Sequence, residues 1–256
     1  MAKGFRMDIA GYTGEVFPLF ESTQIYFSKY LSERDPDFCV TVSPEDLAFE
    51  QQELDREAMA EGLKLRKFTD PFLERMSIAR KFAEHLLLRG AIMLHGSAVA
   101  VDGKGYLFAA KCGTGKSTHT RLWCQTFADR AKMINDDKPF ALVRGEELFL
   151  CGSPWSGKHG LDNNIAVPFA GICILERGAE NQIQKMPQEE AWEYLLYQAQ
   201  PAMDLKRYPG YKQALQQVLE KTGTWKMQCN RDPQAAVMAH RAMSAETVEE
   251  IPHSPV

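Results

Sequence analysis

The sequence predicts a mixed α/β protein on three observations. A glycine-rich loop, Lys111-Cys112-Gly113-Thr114-Gly115-Lys116, joins a strand-like run to a helical pattern mid-chain. Strands alternate with helices only in part, which points to a mixed sheet built around one βαβ unit. The first forty-five residues carry short alternating, aromatic-rich runs. Residues 1–69 therefore read as a β-rich N-terminal region, 70–180 as the core around the loop, and 181–256 as a helical region packing on that core.

Along the chain, Glu15–Phe20 and Phe38–Val42 read as strands, with turns at Gly11–Gly14 and Asp35–Asp37. Ser43-Pro44 marks a helix start, since a serine side chain can cap and proline suits the first helical position. The acidic stretch from there to Gly62 fits a helix or a solvated loop equally. From Asp70-Pro71, apolar residues recur at three- and four-residue spacing (Phe72, Met76, Ala79, Phe82, Ala83, Leu86, Leu87), and Arg89-Gly90 is a natural stop. Ala91–Val101 reads as one strand, Asp102–Gly105 as a hairpin turn and Tyr106–Ala110 as a short buried strand. A helix then starts near Lys116. Further strands are expected at Ala131–Asn135, Ile172–Leu175 and Trp225–Cys229, and helices at Gln188–Gln198, Tyr211–Leu219 and Asp232–Met243. The final dozen residues read as frayed.

Composition sets the class. The 256 residues, 45% hydrophobic and 25% charged, can bury roughly 70–75% of the surface of the unfolded chain. Thirty basic against thirty-four acidic residues leave a net charge of −4, which argues against a nucleic-acid partner. No apolar run approaches the ~20 residues needed to span a bilayer, so no membrane association is expected. The opening Met-Ala-Lys-Gly-Phe-Arg-Met-Asp has no apolar segment of a secretory signal. Six scattered cysteines (Cys39, Cys112, Cys124, Cys151, Cys173, Cys229) form no metal-binding spacing and read as reduced thiols. The expected location is the cytoplasm.

The loop carries the strongest chemical signal. A triphosphate needs many convergent donors. Glycines let backbone N–H groups of Lys111, Cys112, Gly113, Thr114, Gly115, Lys116, Ser117 and Thr118 close around phosphate, and the following helix N-terminus adds its positive end. Lys116 would reach the β- and γ-phosphates of ATP and the Ser117 hydroxyl would ligate Mg²⁺. The full Walker A pattern has glycine where this chain has Ala110. Nineteen residues past Ser117, the strand Met133-Ile134-Asn135 delivers Asp136-Asp137. Adjacent acids on an extended chain point to opposite sides, so one can serve a metal and the other act as general base.

His95-Gly96-Ser97, the run Gly105 to Ser117, and Asp136-Asp137 together resemble the catalytic domain of HPr kinase/phosphorylase and its relatives, over about residues 90–178. The resemblance implies a phosphoenolpyruvate-carboxykinase-like P-loop core within 70–180. It also implies an ATP-dependent kinase that phosphorylates a hydroxyl, serine first of all, on a protein, peptide or small molecule. By the same resemblance, Asp136 matches the general base, Asp137 with Ser117 the metal site, Lys116 the phosphate lysine, and His95 the histidine that orients the base. The family forms hexamers, so a homo-oligomer is a further expectation. Three features depart from it. Thr118 stands where HPr kinases have glutamate, Ala170–Gly178 replaces their second signature, and the N-terminal region is unmatched. A catalytically silent nucleotide sensor or partner-binding module, and an NTP hydrolase, stay open beside the kinase.

Gly152–Gly160 is a turn-rich segment in which Trp155, Lys158 and His159 are candidates to cover the phosphates or hold the acceptor; Asp162-Asn163-Asn164 could continue it. Arg121, one turn beyond Ser117, joins them as a candidate substrate contact. His85 and His240 read as packing or surface residues, and Lys206, Arg207 and Tyr208 as a solvated face.

Overall fold

The computed structural model describes residues 2–60, 62–111, 113–157, 159–199 and 210–244. Cys112, Lys158, Lys206–Tyr208 and the final dozen residues lie outside them. The protein is a mixed α/β molecule with a curled mixed sheet and a β-rich N-terminal part.

The N-terminal sheet has three strands, β1 (Phe5–Ile9), β2 (Tyr12–Phe17) and β3 (Phe38–Thr41), with β1 antiparallel and β3 parallel to β2. The β1–β2 turn is Ala10-Gly11, both at positive φ, rather than Gly11–Gly14. Gly14 is instead a strand residue, at a place with no room for a side chain: a Cβ there would lie 2.4 Å from the Phe82 ring and 2.7 Å from that of Phe38. The strand stops at Phe17 because Pro18 cannot extend it. A short helix α1 (Ser22–Tyr26) and a 3₁₀ turn (Ser28–Tyr30) follow.

The undecided acidic stretch is helix α2 (Pro44–Ala60). At its start the Asp46 carboxylate reaches back to accept the Ser43 N–H (2.9 Å). Helix α3 (Asp70–Leu87) lies alongside, bound by Arg80 to Glu50 and Asp46 and by Lys81 to Asp46. Its buried stripe runs through Leu73, Ile78, Phe82 and Leu86, rotated from the expected one so that Phe72 and Met76 sit at its margin.

Among the described residues the main sheet has nine strands. The expected strand at 91–101 is two, β4 (Ala91–Met93) and β5 (Ser97–Val101), with different partners. The break falls at Leu94-His95-Gly96, where a Cβ on Gly96 would meet the Leu107 side chain at 2.7 Å. After β5, Asp102-Gly103 makes the tight hairpin to β6 (Lys104–Ala109), and helix α4 (Lys116–Phe127) and β7 (Ala131–Asn135) follow. The hairpin of β8 (Phe140–Arg144) and β9 (Glu147–Cys151) leads to the long β10 (Ala166–Arg177), which begins six residues before the expected strand. The segment after 180 supplies β11 (Gln182–Lys185), α5 (Gln188–Ala199), α6 (Gly210–Glu220), β12 (Gly223–Cys229) and α7 (Gln234–Ser244), so it adds strands as well as helices to this sheet.

The order is β4-β8-β9-β10-β6-β5-β7, with β12 also on β10 and β11 on β12; β6, β10 and β12 are parallel. Alternation builds two cores. Leu107, Ala109, Ile172 and Ile174 face α5 and α6, while Tyr106, Phe108, Cys173 and Leu175 face α4 and α7. A third cluster joins the N-terminal sheet and α3 to Phe140 and Leu142 of β8. Among the described residues no helix is long and apolar enough to cross a membrane.

Candidate functional site

Strand pairing brings the sequence candidates to one edge. Strand β5 lies between β6 and β7, antiparallel to both, with Ser97 opposite Phe108 and Ala98 opposite Asn135. His95 just before β5, the glycine loop just after β6 and the aspartates just after β7 therefore meet at the carboxyl ends of the parallel strands. That is where open α/β sheets bind ligands. Two contacts fix the junction: Ser97 Oγ lies 2.7 Å from Thr120 Oγ1 of α4, and the Gly96 N–H donates to the Asp137 carbonyl (2.9 Å).

In the loop, the Thr114 N–H donates to the Lys111 carbonyl (3.1 Å), with Gly113 at φ +75° and Gly115 at φ +123°. These are conformations that side chains rarely adopt. Gly115 leads directly into α4, leaving the first N–H groups of that helix at the loop. Lys116 Nζ donates to the Ala110 carbonyl (3.1 Å). Ser117 is half-buried in the first turn, Thr118 is exposed, and Arg121 is half-buried one turn on.

Sequence reasoning missed the braces behind this loop. Arg177, at the end of β10, donates to the carbonyls of Gly113 (2.5 Å) and Thr114 (3.3 Å), and Gln198 of α5 donates to Ala110 (2.8 Å). Their partners lie 63–64 and 88 residues away in the chain, so no local pattern announces them.

The two aspartates do face different surroundings. Buried Asn135 shapes the turn: its Oδ1 accepts the N–H of Asp137 (2.7 Å) and Lys138 (2.6 Å), while its Nδ2 donates to the Ser153 carbonyl (2.8 Å). Asp136 is 4% exposed; its Oδ1 accepts the Gly157 N–H (2.7 Å), and among the described residues its Oδ2 has no hydrogen-bond partner. Burial pushes its carboxyl up from the usual range, Asp137 adding to the effect and His159 opposing it. Asp137 is partly open, with Oδ1 3.5 Å from His95 Nε2. Burial and the Lys116 ammonium hold His95 below the usual imidazole value, against the pull of Asp137. The histidine expected to orient Asp136 is therefore paired with Asp137, because the β5–β7 register shift at Ala98/Val99 sets which acid stands opposite it.

Of the expected substrate residues, Trp155 does not face a ligand. It is 2% exposed, packed between Phe27, Phe82 and Phe140, with its indole N–H on the Arg75 carbonyl (3.0 Å). A large aromatic beside buried apolar surface from α3 releases more free energy by joining it than by waiting in solvent. His159 is exposed near Asp136, and Lys158, like Cys112 of the loop, lies outside the described residues. Asp162 anchors Lys29 and Ser156, while Asn163 donates to the Met133 carbonyl (2.9 Å). His85 stacks on Phe38 and His240 packs on Tyr106 and Trp123.

No protein-family profile matches the chain, and no curated protein matches it in sequence. Among solved structures, it aligns with the Hpr(Ser) kinase/phosphatase from Coxiella burnetii at 9% identity and a TM-score of 0.30. That alignment covers 59% of this chain and 96% of that one. At this level of similarity neither fold nor activity transfers from one protein to the other.

Proposed function

We propose that this chain is an ATP-dependent phosphotransferase of the HPr-kinase-related type, moving the γ-phosphoryl group to a hydroxyl, serine first of all. The observation that carries the reading is Asp136: a buried carboxylate with one oxygen unpartnered among the described residues, at the carboxyl end of β7, which β5 separates from the end of β6 that leads into the glycine loop and α4. A carboxylate with a raised proton affinity is suited to accept a hydroxyl proton. As the acceptor oxygen bonds to the γ-phosphorus, the bond from that phosphorus to the bridging oxygen breaks. ADP leaves with the electron pair and the proton passes to Asp136 Oδ2. Backbone N–H groups of the loop and the α4 N-terminus hold the phosphates. Lys116 leaves the Ala110 carbonyl to follow them.

Asp137 and Ser117 would hold Mg²⁺. One carboxylate and one hydroxyl suit an ion that keeps waters and takes substrate phosphates as ligands. Among the described residues no group of three His, Cys, Asp or Glu is placed to hold a metal by itself, so most ligands would have to come from phosphate and water. When bound, the ion neutralises charge on the transferred group. His95, with Nε2 3.5 Å from its Oδ1, orients Asp137.

Ala110 in place of the Walker A glycine, and Ala170–Gly178 in place of the second signature, favour one rival, a catalytically silent nucleotide sensor or partner-binding module; an NTP hydrolase is the other. Thermal unfolding with ATP and Mg²⁺ tests the shared premise. Ligand at about 100 times its Kd adds roughly 2.7 kcal/mol, about 5–10 °C for a chain of this size. The shift is expected in wild type and absent in Lys116→Ala; no shift in either ends the nucleotide reading. Labelled-phosphate transfer then separates a kinase from a sensor, and phosphate release without acceptor marks a hydrolase. Lys116→Ala should lower transfer at least about 100-fold.

A further inference from the structure

Ala110 stands where the Walker A pattern has its first glycine, and it is fully buried. A buried carbonyl needs a donor. Among the described residues no backbone N–H reaches the Ala110 carbonyl. Two side chains serve it instead, one from each side of the loop: Lys116 Nζ at 3.1 Å and Gln198 Nε2 at 2.8 Å.

The two donors differ in how free they are to leave. The Lys116 ammonium is a charge that a phosphate in the loop would draw toward itself. The Gln198 amide is fixed. Its Nε2 also donates to the Tyr194 hydroxyl (3.2 Å), one turn back on α5, and that hydroxyl accepts the Lys111 N–H. Tyr194 and Gln198 thus grip the backbone on both sides of the bond between Ala110 and Lys111. Gln198 Oε1 is buried and has no partner among the described residues. An amide that leaves its own acceptor unsatisfied is placed for its donor.

Without Gln198, a move of Lys116 onto phosphate would strand the buried carbonyl. That cost would fall on the nucleotide-bound state alone, since the ammonium serves the carbonyl only while the loop is empty.

We propose that Gln198 is the positioning residue that frees Lys116 for phosphate. In the empty site the two side chains share the Ala110 carbonyl, and Gln198 holds it alone once Lys116 turns to the β- and γ-phosphates. The inference rests on the nucleotide reading above and deepens it, because it makes α5 a part of phosphate binding. Lys116 is stored at the loop without being locked there.

Four proteins test this: wild type, Lys116→Met, Gln198→Met and the double variant, each unfolded in urea without nucleotide. Either donor alone keeps the carbonyl served. The double variant leaves it with none, so its midpoint should fall by more than the sum of the two single changes. Additive changes overturn the proposal. Titration with ATP and Mg²⁺ then reads the release. Gln198→Met should bind ATP at least about fivefold more weakly while unfolding like wild type without ligand. Gln198→Glu should lose at least as much, because a carboxylate cannot donate and holds the ammonium back. An ATP affinity unchanged in Gln198→Met overturns the proposal. So does a ligand-free midpoint already lowered in that variant alone, which would make Gln198 a plain brace. No ATP binding by wild type ends the nucleotide reading and the release with it, while the urea cycle still decides whether the two donors share the carbonyl.

Discussion

Asp136 is held where a carboxylate is least comfortable: nearly covered, one oxygen without a partner among the described residues, with a second acid next to it. A folded-state pKa raised by burial means that ionisation costs stability. The contribution of this group is full below the ordinary carboxylate value of about 3.9 and is lost as pH rises through the raised one. Asp136→Asn removes the charge and keeps an oxygen for the Gly157 N–H. It should melt higher than wild type at pH 7, with the gap closing toward pH 4, while transfer falls by about 10²–10⁴-fold. Melting curves against pH together with a labelled-phosphate assay check both halves; a variant that is less stable at pH 7 contradicts the burial argument. The acid pair was legible in sequence because a strand end and its two aspartates are contiguous. The partner of His95 was not, since it depends on a register shift between strands some forty residues apart.

At the scale of elements, the glycine loop keeps its shape through contacts outside the strand–loop–helix unit that announces it. Arg177 and Gln198 hold three of its carbonyls, and those residues come from β10 and α5. Arg177→Ala should therefore weaken ATP binding by several-fold, at the level of one or two hydrogen bonds from a charged donor. The side chain is exposed, so the melting temperature without ligand should stay within about 2 °C. Titration of ATP against both proteins checks this, and an unchanged affinity would mean that the loop holds its form alone. Helices α3 to α7 were readable from period and caps. Strand β4 was fused to β5 because both are apolar and only Gly96, pressed on Leu107, separates them.

For the whole molecule, Trp155 shows that the N-terminal region is not an appendage. The indole leaves the segment over the site and packs among Phe27, Phe82 and Phe140, so one residue joins the end of α1, α3 and the main sheet. Trp155→Ala should cost about 3–5 kcal/mol and lower the melting temperature by on the order of 10 °C in a single transition. Two separated transitions in calorimetry would instead mean that the N-terminal part melts independently. The α/β class was legible because alternation and helical period are local. The sheet order was not, because its central pairings are parallel and distant, Ile174 with Ala109 and Leu175 with Met227. Those pairings also set a timetable for a chain emerging from the ribosome. Strand β6 and the glycine loop appear first, but one flank of β6 stays bare until β10 is made, and α5 follows later still. Long-range parallel pairing is slow to close. Nucleotide capture is thus among the last abilities the nascent protein acquires, after roughly three-quarters of it has been translated.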